Sequence, residues 1–275
     1  MTARILITGA AGVVGTLMRP RLAAPGRVLR LLDIAELPAP ADGENVELVQ
    51  ASVTDMAAME AAMEDVDAVI HLGGHSLEEP WEKILRVNID GTHTVLEAAR
   101  RTGVRRVVLA SSNHAVGYVE RADGVAGDYL FPRPDTYYGV SKVALEALGS
   151  MYADRYGLDV IALRIGSCFP KPRDVRMLST WMSPDDGARL FEAALSVASP
   201  GFRIVWGVSN NTRGWFSLDE ARALGYEPRD DSEVYAAEVL AEHGGELDPS
   251  SYAGKYVGGA WCGPDFDTAV KEAGR

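Results

Sequence analysis

Tyr138-Gly139-Val140-Ser141-Lys142 places a phenol and an ammonium four positions apart, which on a helix is one turn and puts both side chains on the same face. A neighbouring ammonium favours phenolate over phenol, so a tyrosine that ordinarily titrates at about 10 becomes a usable base closer to neutrality. Lys142 has a second use, donating to the ribose beside a nicotinamide ring. Far upstream, Thr8-Gly9-Ala10-Ala11-Gly12-Val13-Val14-Gly15 has the glycine spacing of a turn that receives a pyrophosphate. Either pattern alone arises by chance: an isolated tyrosine–lysine pair is as readily an ordinary surface pair, and a glycine run a simple turn. Together in this order they point to nicotinamide-dependent dehydrogenation.

Such residues need elements to hold them. Ile5-Leu6-Ile7 reads as an apolar strand running into the glycines, and residues 16–22 as the helix that follows. In that context Gly9 permits the tight turn, Gly12 allows close approach to the pyrophosphate, and Gly15 lets the helix pack on the strand. Ala11, Val13 and Val14 complete the loop, with the phosphates on the helix N-terminus, where unpaired N–H groups and the helix dipole favour negative charge. A second strand, Val28-Leu29-Arg30-Leu31-Leu32, ends in Asp33 and Ile34. A carboxylate there accepts from ribose hydroxyls and repels a 2′-phosphate, which predicts NAD over NADP.

Strand-like and helix-like segments alternate along the rest of the chain without internal repeats, the pattern of an α/β, doubly wound parallel sheet. Strands are expected at 46–49, 68–72, 107–109 and 160–163, and helices at 56–63, 81–102 and 138–156. Loops at the carboxyl ends of such strands form the ligand crevice, so 73–76, 111–114 and 166–168 are expected to face the cofactor. This assigns residues 1–168 to a dinucleotide-binding domain. Residues 169–275, richer in Pro, Trp and charge, are assigned to a smaller substrate-binding lid that includes a helix at 184–199 and a strand at 203–206.

Composition narrows the function classes. The chain has 275 residues, 47% of them hydrophobic and 24% charged, with no apolar run long enough to span a bilayer. Met1-Thr2-Ala3-Arg4 leads directly into the first strand, and the two cysteines, Cys168 and Cys262, form no CxxC pair, so a cytoplasmic location is expected. A net charge of −12 disfavours nucleic acid and anionic membranes as partners. An acidic protein that binds an anionic substrate must supply a local cation, which draws attention to single arginines. His71 and His75 straddle Gly73-Gly74 and share no helical face, so no metal site is expected.

With these motifs in place the chain resembles the extended short-chain dehydrogenases/reductases: TGxxGxxG, a strand ending in Asp, Asn88-x-x-Gly91-Thr92 and YxxxK occur in the right order. Within that group it is similar to the uronate dehydrogenases. The segments that carry this likeness are His71-Leu72-Gly73-Gly74-His75-Ser76, Ala110-Ser111-Ser112-Asn113-His114, Arg164-Ile165-Gly166-Ser167-Cys168 and Arg176-Met177-Leu178-Ser179-Thr180-Trp181. The resemblance implies NAD-dependent oxidation of cyclic glucuronate or galacturonate at C1 to an aldarolactone, by a homo-oligomer.

It also implies site residues. Tyr138 is the general base, with Lys142 lowering its pKa and binding the nicotinamide ribose. Ser112 or Asn113 positions the reacting hydroxyl, and Ser76, His114 and Ser167 contact the sugar. Arg176 holds the carboxylate, for which a planar guanidinium is suited. Ser52 and Val53 are assigned to the adenine end, Leu72, Gly73, Gly74, Ser76 and Cys168 to the cofactor wall, and Asn88 to ordering backbone or water near Lys142. Two other readings stand beside this one: a nucleotide-sugar epimerase or dehydratase of the same fold, and a non-catalytic dinucleotide-binding regulator. A regulator has no need of the Tyr138–Lys142 pair.

Overall fold

The computed structural model describes residues 3–266. Seven parallel strands form one sheet in the order β3-β2-β1-β4-β5-β6-β9. These are β1 Ala3–Thr8, β2 Arg27–Asp33, β3 Val46–Gln50, β4 Ala68–His71, β5 Arg106–Ser112, β6 Asp159–Ile165 and β9 Phe202–Gly207; a two-stranded pair, β7 Ser167–Cys168 and β8 Trp181–Met182, stands apart. Successive side chains in a strand point to opposite faces, and strands covered on both faces read as continuous apolar runs. That alternation is explicit here. Ile5, Ile7, Leu29 and Leu31 lie in one buried cluster, whereas Leu6 and Leu32 lie in the other.

Two helical layers cover these faces. On the first, α1 (Val13–Arg21) brings Met18 and α7 (Pro184–Ser196) brings Leu190 and Phe191. On the second, α2 (Met56–Ala62), α4 (Asp90–Thr102) and α5 (Tyr137–Tyr156) bring Met59, Val95, Leu96, Leu145 and Tyr152. Strand order reverses between β1 and β4, and that switch point leaves a crevice at the carboxyl ends of the strands.

The boundary expected at residues 168 and 169 does not match this architecture. Residues 203–206 were expected in the lid, yet β9 pairs with β6 from Val160↔Phe202 to Ile165↔Gly207 and completes the main sheet. The helix expected at 184–199 ends at Ser196 and packs on the sheet beside α1. Its position is fixed electrostatically as well. Arg21 pairs with Asp185, Arg27 forks onto Glu192, and Arg106 of β5 donates to the carbonyls of Ala194 and Val197 at the C-terminal end of α7, where cations are favoured.

The helix expected over 81–102 is continuous in backbone direction but not uniform. A short α3 (Trp81–Lys83) leads into a π-helical stretch, Ile84–Ile89, before α4 begins. Such wide turns are frequent at functional sites, and this one carries Asn88.

Candidate active site

Both motifs open into the crevice at the switch point, a cavity of about 560 Å³. Its walls carry Gly9, Ala11, Gly12, Val13, Val14 and Gly15 with Asp33, Ile34, Ser52 and Val53, together with Leu72, Gly73, Gly74, Ser76, Ser112, Tyr138 and Lys142. Gly9 has φ +71°, and a Cβ there would lie 2.6 Å from the backbone of Leu72 and Gly73, so no other residue lets the loops after β1 and β4 touch. The Ala11 N–H donates to Asp33 Oδ2 at 2.9 Å and the Ala35 N–H to Oδ1 at 3.0 Å, so Asp33 grips the glycine loop from the end of β2. Leu32, Ala35, Ala51, Val87, Ala110 and Ile165 also line the cleft. They carry no sequence signal, because an apolar residue near a strand end looks like core.

Asn88 does not line the cavity; it holds the loop that does. Its Oδ1 accepts from the His75 N–H at 2.8 Å, and its Nδ2 donates to the His75 carbonyl at 3.0 Å and to Ser141 Oγ at 3.1 Å. Thus one buried amide ties the 73–76 loop to α5, one residue before Lys142. A second set of bonds fixes the same loop from beneath. The Gly73 N–H donates to Thr8 Oγ1, Thr8 Oγ1 lies 2.8 Å from His71 Nδ1, His71 Nε2 lies 3.3 Å from Thr92 Oγ1, and Thr92 donates to the Asn88 carbonyl at 2.6 Å. Since the Thr92 hydroxyl proton is committed to Asn88, His71 carries its hydrogen on Nε2 and accepts from Thr8 on Nδ1. Burial, helped by the charge of Lys142, holds the His71 pKa down at about 3.

At the start of α5, Thr136 Oγ1 accepts from the Gly139 N–H, and both carboxylate oxygens of Glu78 accept from the N–H groups of Tyr137 and Tyr138. An acidic group is favoured at that end of a helix. Tyr138 and Lys142 are both buried on the inner face of α5, with Lys142 Nζ 5.2 Å from the centre of the Tyr138 ring and donating to the Ala110 carbonyl at 2.8 Å. Burial pushes the Tyr138 phenol up to about 12, against the pull of a hydrogen bond with Ser112; the charge of Asp135 adds to the rise. Burial pushes Lys142 down to about 8, opposed by Glu146.

One further turn along α5, Glu146 accepts from Ser111 Oγ at 2.6 Å and from Arg164 Nε and Nη2, each at 2.8 Å. Both partners of this ion pair are buried, at 5% and 1% exposure. Arg164 Nη1 also donates to the Asp128 carbonyl, so the pair sits in a satisfied network beneath the lysine. Glu146 was not singled out from sequence, although its place one turn beyond Lys142 is a usable signal.

The sugar-side candidates converge unevenly. Ser112 lines the cleft with Tyr138 and its Oγ accepts from the His114 N–H, while Asn113 Nδ2 donates to the Val257 carbonyl at 3.1 Å. Arg176 Nη2 donates to that same carbonyl. His114 packs edge-on against Tyr138 with ring centres 5.8 Å apart. Ser167 Oγ, in β7, is 2.9 Å from Thr180 Oγ1, just before β8. Asn113, His114, Ser167 and Arg176 thus lie beside the cleft without forming its wall. Cys168 departs from its expected place on the cofactor wall: it is buried in the sheet's first apolar cluster, which pushes its thiol up to about 12, and Ile165 and Gly166 line the cleft instead. Among the described residues there is no group of His, Cys, Asp and Glu that could hold a metal ion, and no helix is long and apolar enough to cross a membrane.

A glycine-loop cleft at a sheet switch point, with a tyrosine and lysine buried at its far end, defines a dinucleotide-dependent oxidoreductase. Comparison with known proteins agrees. Residues 5–219 match the NAD dependent epimerase/dehydratase family, and the chain belongs to that family as an NAD-dependent dehydrogenase. It is 46% identical over 240 residues to a uronate dehydrogenase of Pseudomonas syringae pv. tomato, covering 87% of this chain and 86% of the relative. It is 44% identical over 259 residues to the uronate dehydrogenase of Pseudomonas putida, covering 94% and 95%. The solved uronate dehydrogenase of Agrobacterium tumefaciens, a mutant of which has been solved complexed with NAD, superposes with a TM-score of 0.88 at 41% identity over 96% of this chain and 98% of that one.

Proposed function

We propose that the protein oxidises the C1 hydroxyl of a cyclic uronic acid, D-glucuronate or D-galacturonate, releasing the aldarolactone and NADH. The observation that carries this reading is the Ser112–Tyr138–Lys142 group at the nicotinamide end of the cleft, in a chain so similar to uronate dehydrogenases. Tyr138 takes the hydroxyl proton as the C1 hydrogen leaves as hydride for the nicotinamide; C1–O becomes a carbonyl and NAD becomes NADH. Lys142 donates to the nicotinamide ribose and faces the phenolate as it forms.

Ser112 is the better candidate for holding the reacting hydroxyl, because it lines the cleft with Tyr138 whereas the Asn113 amide is turned to Val257. Asn113, Ser76, His114 and Ser167 contact the remaining sugar hydroxyls. Arg176 meets the C6 carboxylate, with Val257 orienting the guanidinium. Asp33 selects NAD by pairing with the adenosine ribose. The enzyme is proposed to act in the cytoplasm as a homo-oligomer.

The test is NADH absorbance with purified protein and a panel of sugars. Glucuronate or galacturonate supports turnover with free NAD, and glucose and galactose do so poorly. Absence of NADH with every uronic acid, or equal use of neutral sugars, overturns the reading. Arg176→Ala adds a sharper arm: the uronate KM rises steeply while activity on the neutral sugar changes little. Equal proportional losses for the two substrates remove the carboxylate role from Arg176.

A further inference from the structure

Asp135 lies just before the cap of α5, and its side chain has no exposure to solvent. Its Oδ2 is 2.6 Å from His114 Nδ1, and its Oδ1 accepts from Thr136 Oγ1 at 3.0 Å. The carboxylate occupies a slot between two glycines: a Cβ built on Gly117 would lie 2.1 Å from Oδ2, and one built on Gly258 would lie 1.9 Å from it. Those walls are fastened together. The Gly258 N–H donates to the Gly117 carbonyl at 2.8 Å, and Cys262 Sγ lies 3.3 Å from that carbonyl and 3.9 Å from Asp135 Oδ2. Two positions without side chains, bonded to each other, leave room for this carboxylate and little else.

The ring it holds is equally confined. His114 stacks on Trp261, with centres 4.1 Å apart and planes 26° apart, and meets Tyr138 edge-on. Its backbone N–H donates to Ser112 Oγ at 3.3 Å. A carboxylate accepts hydrogen bonds and donates none, so the ring hydrogen belongs on Nδ1. The far edge of a neutral imidazole then offers Nε2 as a lone pair, an acceptor.

We propose that Asp135 is a positioning residue for the sugar, holding His114 as the Nδ1–H tautomer so that Nε2 accepts a hydrogen bond from a substrate ring hydroxyl beside Tyr138. The assignment rests on the function proposed above and deepens it: the hydroxyl is recognised as a donor, and the recognising nitrogen is fixed by a carboxylate that does not itself touch substrate. Asp135 acts on substrate binding through His114 and leaves the hydride and proton steps to Tyr138 and Lys142.

The tests use the intact protein. Nitrogen NMR of isotope-labelled protein reads the His114 tautomer without any need for turnover; the Nδ1–H form is expected, and the Nε2–H form overturns the proposal even in an active enzyme. Asp135→Asn fits the slot but can donate as well as accept, releasing the tautomer. It is expected to raise the uronate KM about tenfold, the effect of one lost hydrogen bond, with kcat and NADH affinity held within about twofold. In His114→Asn the amide nitrogen takes the place of Nδ1 and keeps the bond to Asp135 but lacks Nε2. That variant is expected to show the same KM rise, and adding Asp135→Asn to it is expected to have little further effect. If Asp135→Asn fails to fold, His114→Asn decides alone: an unchanged KM overturns the proposal. Equal KM increases from Asp135→Asn with and without His114 would mean that Asp135 acts on the fold, and also overturn it. Failure of the unmodified protein to oxidise any uronate overturns the proposed function, a result distinct from each of these.

Discussion

Replacing Tyr138 by Phe removes one oxygen from a buried site and leaves the walls of the dinucleotide cleft in place. Turnover is therefore expected to fall by roughly 10²–10⁴-fold, the contribution of a positioned general base, while NADH affinity, read by fluorescence titration, stays unchanged. Near-normal turnover in Tyr138→Phe removes it from the role of base. The unmodified pair also sets a pH dependence. With Tyr138 at about 12, the deprotonated fraction rises with each pH unit through neutrality, so oxidation should accelerate between pH 6 and pH 8 on the order of tenfold per unit at its steepest. Above about 8 Lys142 loses its proton and the charge that faces the phenolate, so the profile should level off there. A rate independent of pH across this range contradicts the assignment. At the other end of the cleft, Asp33→Ala should narrow the preference for NAD over NADP. Because Asp33 also holds the Ala11 N–H, the same change should raise the KM for NAD, measured with both cofactors.

Among the elements, α5 carries the most chemistry on one stripe. Tyr138, Lys142 and Glu146 follow at successive turns, and Arg164 of β6 neutralises the last of them. Removing one partner of a buried ion pair leaves the other uncompensated, at a cost of about 3–5 kcal/mol. Glu146→Gln should thus lower the thermal midpoint. Glu146 also raises the Lys142 pKa, so its neutralisation lets Lys142 deprotonate at lower pH, and the levelling of the oxidation profile should move down with it. A lower midpoint with an unmoved profile would limit Glu146 to the fold. The π-helical stretch makes a parallel case: Asn88→Ala leaves the His75 N–H and carbonyl without their partner, and NADH affinity should weaken at least about tenfold as the 73–76 loop loosens. Titration of NADH alongside thermal melting separates this from general instability. Asn88 was readable as a site residue through its motif, but its partners were not. Glu78 and Asp135 left no trace at all, since an acid in a loop has the sequence appearance of a solvated charge until the fold brings α5 against it.

At the scale of the molecule, two buried or paired groups make folding sensitive to acid. His71 has a pKa of about 3 in the fold against an ordinary 6.5, so the unfolded chain binds its proton first and stability falls as pH drops below 6.5. Glu44, held at about 2 chiefly by its hydrogen bonds from Arg19, contributes stability above its ordinary 4.5 that is lost as pH falls towards 2. Both act in one direction. Denaturation midpoints in urea should decline from pH 7 to pH 5.5 and more steeply below 4.5; a flat profile contradicts the sign for both groups. Most of the sheet was legible because buried parallel strands are runs of Val, Ile and Leu, and because glycine turns mark the first βα unit. The seventh strand was misplaced for a physical reason. Its partner β6 lies far back in the chain, and the Pro, Trp and charged residues between them resemble the start of another region, while strand pairing leaves no local mark.

The carbonyl of Val257 receives both Asn113 and Arg176, and this bears on the order in which a growing chain becomes competent. Synthesis runs from the amino end, and folding follows as segments emerge. By the time Gly207 is free, every strand of the main sheet exists, together with the glycine loop, Asp33 and the Tyr138–Lys142 helix. Asn113 and Arg176 still await the segment that orients them, and His114 still lacks the Trp261 ring it stacks against. The residues that line the dinucleotide cleft are thus synthesised before the segment that orients Asn113, Arg176 and His114.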